Sequence, residues 1–184
     1  MGRLLILGAG QYGLVAKEVA EAMGCFAKID FLDDHSDIAI GKLSDIDNIT
    51  YDTAFVAIGN PAVRSQYLDQ IEKAATLIHP RAFISPSAKI GEGCIIEAGA
   101  VISTDAKIGK GTIVMANAVV GHNATVGECC QLKYNCTIPE NYVVLDSTKV
   151  DCNIVFRGTT DIDEKNKQFI ESEFKKNGVE PSCF

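Results

Sequence analysis

The sequence predicts two joined folds: a parallel α/β domain, then a three-sided parallel β-solenoid covered at its far end by a C-terminal helix. Three observations carry this. From Ile84 to Val150 every sixth residue is Ile, Leu or Val, and Phe156 adds a further beat. Four residues after most beats stands a small residue, as at Ala88, Cys94, Ala100, Thr112, Ala118 and Cys136, with Tyr142 the bulky exception. Ahead of this rhythm, residues 1–78 alternate strand-like and helix-like patterns around Gly8-Ala9-Gly10-Gln11-Tyr12-Gly13. A six-residue repeat makes one short strand and one corner, which cannot bury its apolar side alone. Stacking the coils about 4.8 Å apart buries it.

The elements follow in order. Arg3 to Leu7 reads as a buried strand ending in the glycine loop. Leu14 to Met23 carries Val15, Val19, Ala20 and Met23 at helical spacing and stops at Gly24. Phe26 to Leu32 is a second strand running into Asp33-Asp34, and Thr53 to Ile58 a third, ending at Gly59-Asn60. Pro61 suits the first turn of a helix whose face is Val63, Tyr67, Leu68 and Ile71. The order is that of a parallel α/β unit. A full dinucleotide fold needs six strands in two halves, and residues 1–78 have room for one half, a half-Rossmann domain. Proline discourages helix in the residue before it, so His79-Pro80 marks a boundary. Hexads then fill 79–158 as about four coils, a prism roughly 20 Å tall. In 159–184, Asp163, Phe169, Ile170, Phe174, Lys175, Lys176 and Gly178 read as a helix with an acidic start, a basic end and a glycine stop. Its expected task is to cover the last coil.

Composition narrows the partners. The 184 residues are 47% hydrophobic and 22% charged, an ordinary globular balance. A net charge of -7 and a pI near 4.9 argue against nucleic acid or an anionic membrane as the main partner. Leu4 to Leu7 is too short for a signal-peptide core or a membrane span. Seven cysteines, an odd number, suit a reducing cytoplasm. No pair has the C-x-x-C spacing of a zinc site, and Cys94, Cys130 and Cys136 fall on the small-residue beat, where a thiol is a compact hydrophobe. No metal is expected.

Two features point to chemistry. Gly8-x-Gly10-x-x-Gly13 lies between a strand and a helix, where the helix N-terminus offers free N–H groups to phosphate. Asp33 and Asp34 follow by about twenty residues, where a carboxylate would read a ribose or base. A glycine turn kept only for close packing is the alternative. Half a dinucleotide fold suits a nucleotide diphosphate, such as a nucleotide sugar, better than NAD. His122, third residue of the hexad starting at Val120, should project outward from a coil. It is either a solvated surface histidine or a general base, for which imidazole has a suitable pKa.

The chain resembles the sialic acid O-acetyltransferase and UDP-amino-sugar N-acetyltransferase group of hexapeptide-repeat acyltransferases. The resemblance rests on the nine-residue run from Leu5 through Gly13, on Phe31-Leu32-Asp33-Asp34 and on the run from Ala57 through Arg64. It continues through Ile78-His79-Pro80 and Ile84-Ser85-Pro86-Ser87 and runs to Val126-Gly127-Glu128. It implies a left-handed β-helix, a homotrimer, and acetyl-CoA as co-substrate lying between β-helices of adjacent subunits. It implies a UDP-type nucleotide sugar contacted by Gly8, Gly10, Tyr12, Gly13, Asp33, Asp34, Gly59, Asn60 and Arg64. His122 would deprotonate the acceptor amine or hydroxyl, with Asn123 beside it and Gln131 toward acetyl-CoA. Some positions depart from the family. Asn123 stands where a ring-orienting Asp or Glu is usual, Tyr12 where the glycine loop commonly carries histidine, and Gln131 where some members place a second histidine. The β-helix is also short for the family.

The resulting expectation is an acetyltransferase acting on a nucleotide-linked sugar in the cytoplasm. The alternatives are a non-catalytic nucleotide-sugar binder or assembly scaffold, and a serine-type acyltransferase. A nicotinamide oxidoreductase is disfavoured by the brevity of the α/β half.

Overall fold

The computed structural model describes residues 2–158. The expected C-terminal helix lies outside the described residues.

The α/β half contains β1 (Gly2–Leu7), α1 (Gln11–Met23), β2 (Phe26–Leu32), a 3-10 helix (Leu43–Asn48), β3 (Thr53–Val56) and α2 (Pro61–Leu68). Its sheet is parallel, in the order β2-β1-β3. β1 is therefore the central strand, which explains its near-continuous apolar run, Leu4-Leu5-Ile6-Leu7, buried on both faces. Gly24 ends α1 in the left-handed conformation, φ 65°.

Thirteen two-residue strands follow, β4 (Leu77–Ile78) through β16 (Lys149–Val150). They stack by parallel pairing into three sheets, the faces of a left-handed prism. Face one is β4, β7 (Ile95–Ile96), β10 (Ile113–Val114), β13 (Gln131–Leu132) and β16. Face two is β5 (Phe83–Ile84), β8 (Val101–Ile102), β11 (Val119–Val120) and β14 (Thr137–Ile138). Face three is β6 (Lys89–Ile90), β9 (Lys107–Ile108), β12 (Thr125–Val126) and β15 (Val143–Val144). The first strand comes one hexad before the Ile84 beat and just ahead of His79-Pro80. Ile78 is in phase with Ile84, and Leu77–Ile78 pairs with β7.

The sixfold rhythm and the fold coincide residue by residue. The second residue of each strand points inward, and from Ile96 to Val150 these side chains form one buried column. The small residues sit at the inner corners, where Cys94, Ala100, Thr112, Ala118, Ala124, Cys130 and Cys136 are fully buried. Burial pushes the Cys94 thiol up to about 12 and the Cys130 and Cys136 thiols up to about 11, so none is a thiolate at neutral pH. Tyr142 fits because its ring packs edge-on against Phe156, with centroids 6.3 Å apart, where the column ends.

A third rule was legible and went unread. From Ile90 to Val150 the residue three after each beat is left-handed: Gly93, Gly99, Asp105, Gly111, Asn117, Asn123, Cys129, Asn135, Asn141, Ser147 and Asn153. Glycine and asparagine dominate because they enter that region at least cost.

The two halves share a core. Leu77, Ile95 and Ile113, the outward residues of face one, are buried against α1 and the sheet, in a cluster with Ile6, Val19 and Phe31. Higher on the same face the outward residues turn polar, to half-buried Gln131 and exposed Lys149.

Candidate functional site

In an open parallel sheet the usual ligand position is the crevice outside the carboxyl ends of the strands, here bounded by the loops that leave β1, β2 and β3. The two kinds of glycine there differ. A Cβ on Gly13 would lie 2.1 Å from the Gly8 carbonyl oxygen, so this glycine exists for close packing of helix on loop. Gly8 has φ +101° and is likewise structural. Around Gly10 and Gly59 an added Cβ would meet nothing within 4 Å. Those two bound open space, with the N-terminus of α1 behind one and that of α2 behind the other.

Asp33 ties the crevice together. Its Oδ2 accepts from the Ala9 N–H at 2.8 Å and its Oδ1 from the His35 N–H at 2.9 Å. These donors hold the carboxyl below the ordinary aspartate range. Asp34 is exposed and accepts from the Leu43 N–H at 3.2 Å. Asn60 caps α2, its Oδ1 accepting from the N–H groups of Ala62 and Val63.

Two expected ligand contacts prove to be built into the domain junction. Arg64 is 1% exposed. Its guanidinium donates to the carbonyls of Gly111 (2.8 Å), Ile58 (2.7 Å), Cys129 (2.5 Å) and Cys130 (3.4 Å). With its donors consumed by backbone, it pins α2 to the prism and is not available to a nucleotide. Tyr12 also turns away from the crevice: its hydroxyl donates to Glu97 Oε1 at 3.1 Å. Glu97 Oε2 accepts from the Ala116 N–H at 3.1 Å. Glu97 is 5% exposed, and burial raises its pKa against the opposing effect of these two donors. Sequence reasoning missed Glu97. The signal was an acid directly after the Ile96 beat, where glycine and serine are common.

The prism has three corners. Glu97 and Tyr134 lie on the corner between faces one and two; Gly111 and Cys129 lie on the corner between faces three and one. His122 lies on the remaining corner, between β11 and β12, exposed and opposite the face that carries its own α/β domain. Asn141 donates its N–H to the His122 carbonyl at 3.1 Å, so Pro139-Glu140-Asn141 stacks directly above Gly121-His122-Asn123. Asn123 is left-handed, φ 57°, with its side-chain amide bonded to Asn141. Gln131 points outward from β13 on face one, away from the His122 corner of the same chain.

Comparison with known proteins matches both halves. Residues 3–71 fit the model of the PglD N-terminal domain, and residues 105–140 that of the bacterial transferase hexapeptide, six repeats. The acetyltransferase domain of PglB from Neisseria gonorrhoeae FA1090, solved with acetyl coenzyme A, is 27% identical with a TM-score of 0.72, over 84% of this chain and 90% of that one. The chain is similar in both halves to hexapeptide-repeat acyltransferases. The UDP-N-acetylbacillosamine N-acetyltransferase of Bacillus subtilis (strain 168) is 31% identical over 113 residues, 53% of this chain. The match spans about half of that relative's length, 52%. PerB from Caulobacter crescentus, solved with CoA and GDP-perosamine, shares the fold at 24% identity and a TM-score of 0.66, over 85% of this chain and 90% of that one.

Proposed function

We propose that this chain transfers the acetyl group of acetyl-CoA to the amino group of a nucleotide-linked sugar, in the cytoplasm, as a homotrimer. The observation that carries the reading is the open space at Gly10 and Gly59, on a domain that shares its core with a hexapeptide prism presenting the exposed imidazole of His122. The printed ligands of the relatives support the substrates: acetyl coenzyme A on the PglB domain, CoA and GDP-perosamine on PerB. The six cysteines among the described residues are all free thiols, in keeping with a reducing compartment.

The site is shared between copies. Within one chain His122 and the crevice lie on opposite sides of the prism, so the acceptor held by one copy's α/β domain meets the imidazole of its neighbour. The diphosphate sits over Gly10 at the α1 N-terminus, with Asp34 and the Gly59-Asn60 loop toward the nucleoside. Gln131, outward on face one, contacts the acetyl-CoA arm. The acceptor nitrogen attacks the thioester carbonyl carbon; the C–N bond forms, the C–S bond breaks, and His122 carries the amine proton to the departing CoA sulfur. Backbone N–H groups hold the oxyanion. Asn123 holds the corner in the left-handed turn that projects the ring.

Free-thiol release from acetyl-CoA, on mixing with UDP- and GDP-linked amino sugars, tests this. Release by the wild type, lost in His122→Ala, is expected. Nucleotide binding without acetyl-CoA binding or thiol release would instead favour a non-catalytic binder.

A further inference from the structure

We propose that Glu97 is a positioning residue for the nucleotide crevice, acting from the prism through Tyr12. The inference rests on the reading of the glycine loop as the nucleotide-sugar site.

Tyr12 stands two residues beyond Gly10, in the first turn of α1, the turn whose free N–H groups face the crevice. Its side chain reaches 85 residues along the sequence to a carboxylate on another domain. That carboxylate is itself held, since the Ala116 N–H fixes its second oxygen to the next coil. The chain Ala116–Glu97–Tyr12 therefore runs from rigid prism backbone to the helix turn that would cradle phosphate.

Packing alone does not call for an acid here. Ile95, Ile113 and Met115 are buried at the same junction, with Tyr134 and Arg64 as the polar neighbours. An apolar side chain would dock the domains without the desolvation that burying a carboxylate costs. What the carboxylate adds is direction. A charge-assisted hydrogen bond fixes the angle of one side chain, where hydrophobic contact fixes only its area. Held this way, α1 cannot rotate about its axis, and the loop amides keep one orientation toward a bound diphosphate. Burial and the neighbouring Glu97 both hold the Tyr12 hydroxyl well above the ordinary tyrosine range, so it remains a donor throughout the working pH range.

The test uses the full-length protein, with UDP and GDP as calorimetric probes and steady-state kinetics for both substrates. Tyr12→Phe removes only the donor and is expected to weaken nucleotide affinity about fivefold, the equivalent of one hydrogen bond. The acetyl-CoA KM and kcat should stay unchanged. Glu97→Gln, whose oxygen can keep the Ala116 N–H while its amide donates to the Tyr12 hydroxyl, should stay within about twofold of wild type. Glu97→Ala combined with Tyr12→Phe should be no weaker than the worse single variant, the non-additivity expected of one shared contact. Nucleotide affinity unchanged in Tyr12→Phe while thermal stability falls would overturn the inference and leave a docking contact. Equal weakening toward nucleotide and acetyl-CoA would overturn it too. A wild-type protein that binds neither nucleotide would instead sink the reading of the crevice itself, and this inference with it.

Discussion

Asn123 donates its side-chain amide to Asn141 Oδ1 at 2.8 Å, one coil above. The same bond recurs from Asn135 to Asn153 at 3.2 Å. All four residues are left-handed, with φ between 57° and 65°. The asparagine after His122 is thus explained first by its backbone. Asparagine enters the left-handed region more readily than most residues, and its amide then extends a ladder along the prism edge.

Asn123→Ala should therefore lower stability by about 1–2 kcal/mol, through left-handed strain and a lost ladder bond. Asn123→Asp should fold normally, as Asp105 already occupies the equivalent corner at φ 57°. Thermal melts of the two variants check this. An alanine variant as stable as wild type would contradict it.

The glycines of the crevice should separate by role. Gly13→Ala drives a Cβ into the Gly8 carbonyl and should unfold the α/β half. Gly10→Phe faces open space and should melt like wild type, yet lose at least about tenfold in nucleotide affinity. Circular dichroism and calorimetry on the pair decide the matter. A Gly10→Phe protein that binds UDP and GDP normally would remove the crevice from the site.

Removing the Arg64 side chain takes the donor from the carbonyls of Gly111, Cys129 and Ile58, while the Cys130 carbonyl keeps the Ile113 N–H. Arg64→Leu should cost roughly 3 kcal/mol or more in chemical denaturation. Arg64→Lys should not rescue it, because an ammonium cannot span the carbonyls of Ile58, Gly111 and Cys129 at once.

Asp33 supplies a pH dependence of known sign. Its folded pKa is depressed, chiefly by the Ala9 and His35 N–H groups, so its stabilising effect is full above the ordinary value of 3.8. It disappears as pH falls through the lower folded value. Asp33→Asn should melt below wild type at neutral pH, with the gap closing in acid. A gap that widens on acidification would contradict this.

The prism was legible because each coil rebuilds the same environment every six residues, so Ile96, Val120 and Val144 must all be apolar for one reason. The βα units were legible from local period and from Gly24 and Pro61. The places of Arg64 and Tyr12 were not legible because their partners on the prism lie 47 to 85 residues away. Backbone carbonyls, moreover, leave no mark in a sequence. Both residues fall inside runs that resemble ligand-binding loops, and only their side-chain direction shows that they face the prism. His122 could be recognised as outward-facing, but its corner's position opposite the α/β domain emerges only when the coils are wound.

The central claim is that one copy's crevice serves another copy's imidazole. Mixing two impaired variants, His122→Ala and Gly10→Phe, after co-refolding, and assaying at nucleotide-sugar concentrations too low for Gly10→Phe to bind, tests it most directly. A shared site predicts thiol release at about a quarter of the wild-type rate, since random assembly unites an intact crevice with a neighbouring intact His122 at that frequency. Mixtures as inactive as their components would contradict the account.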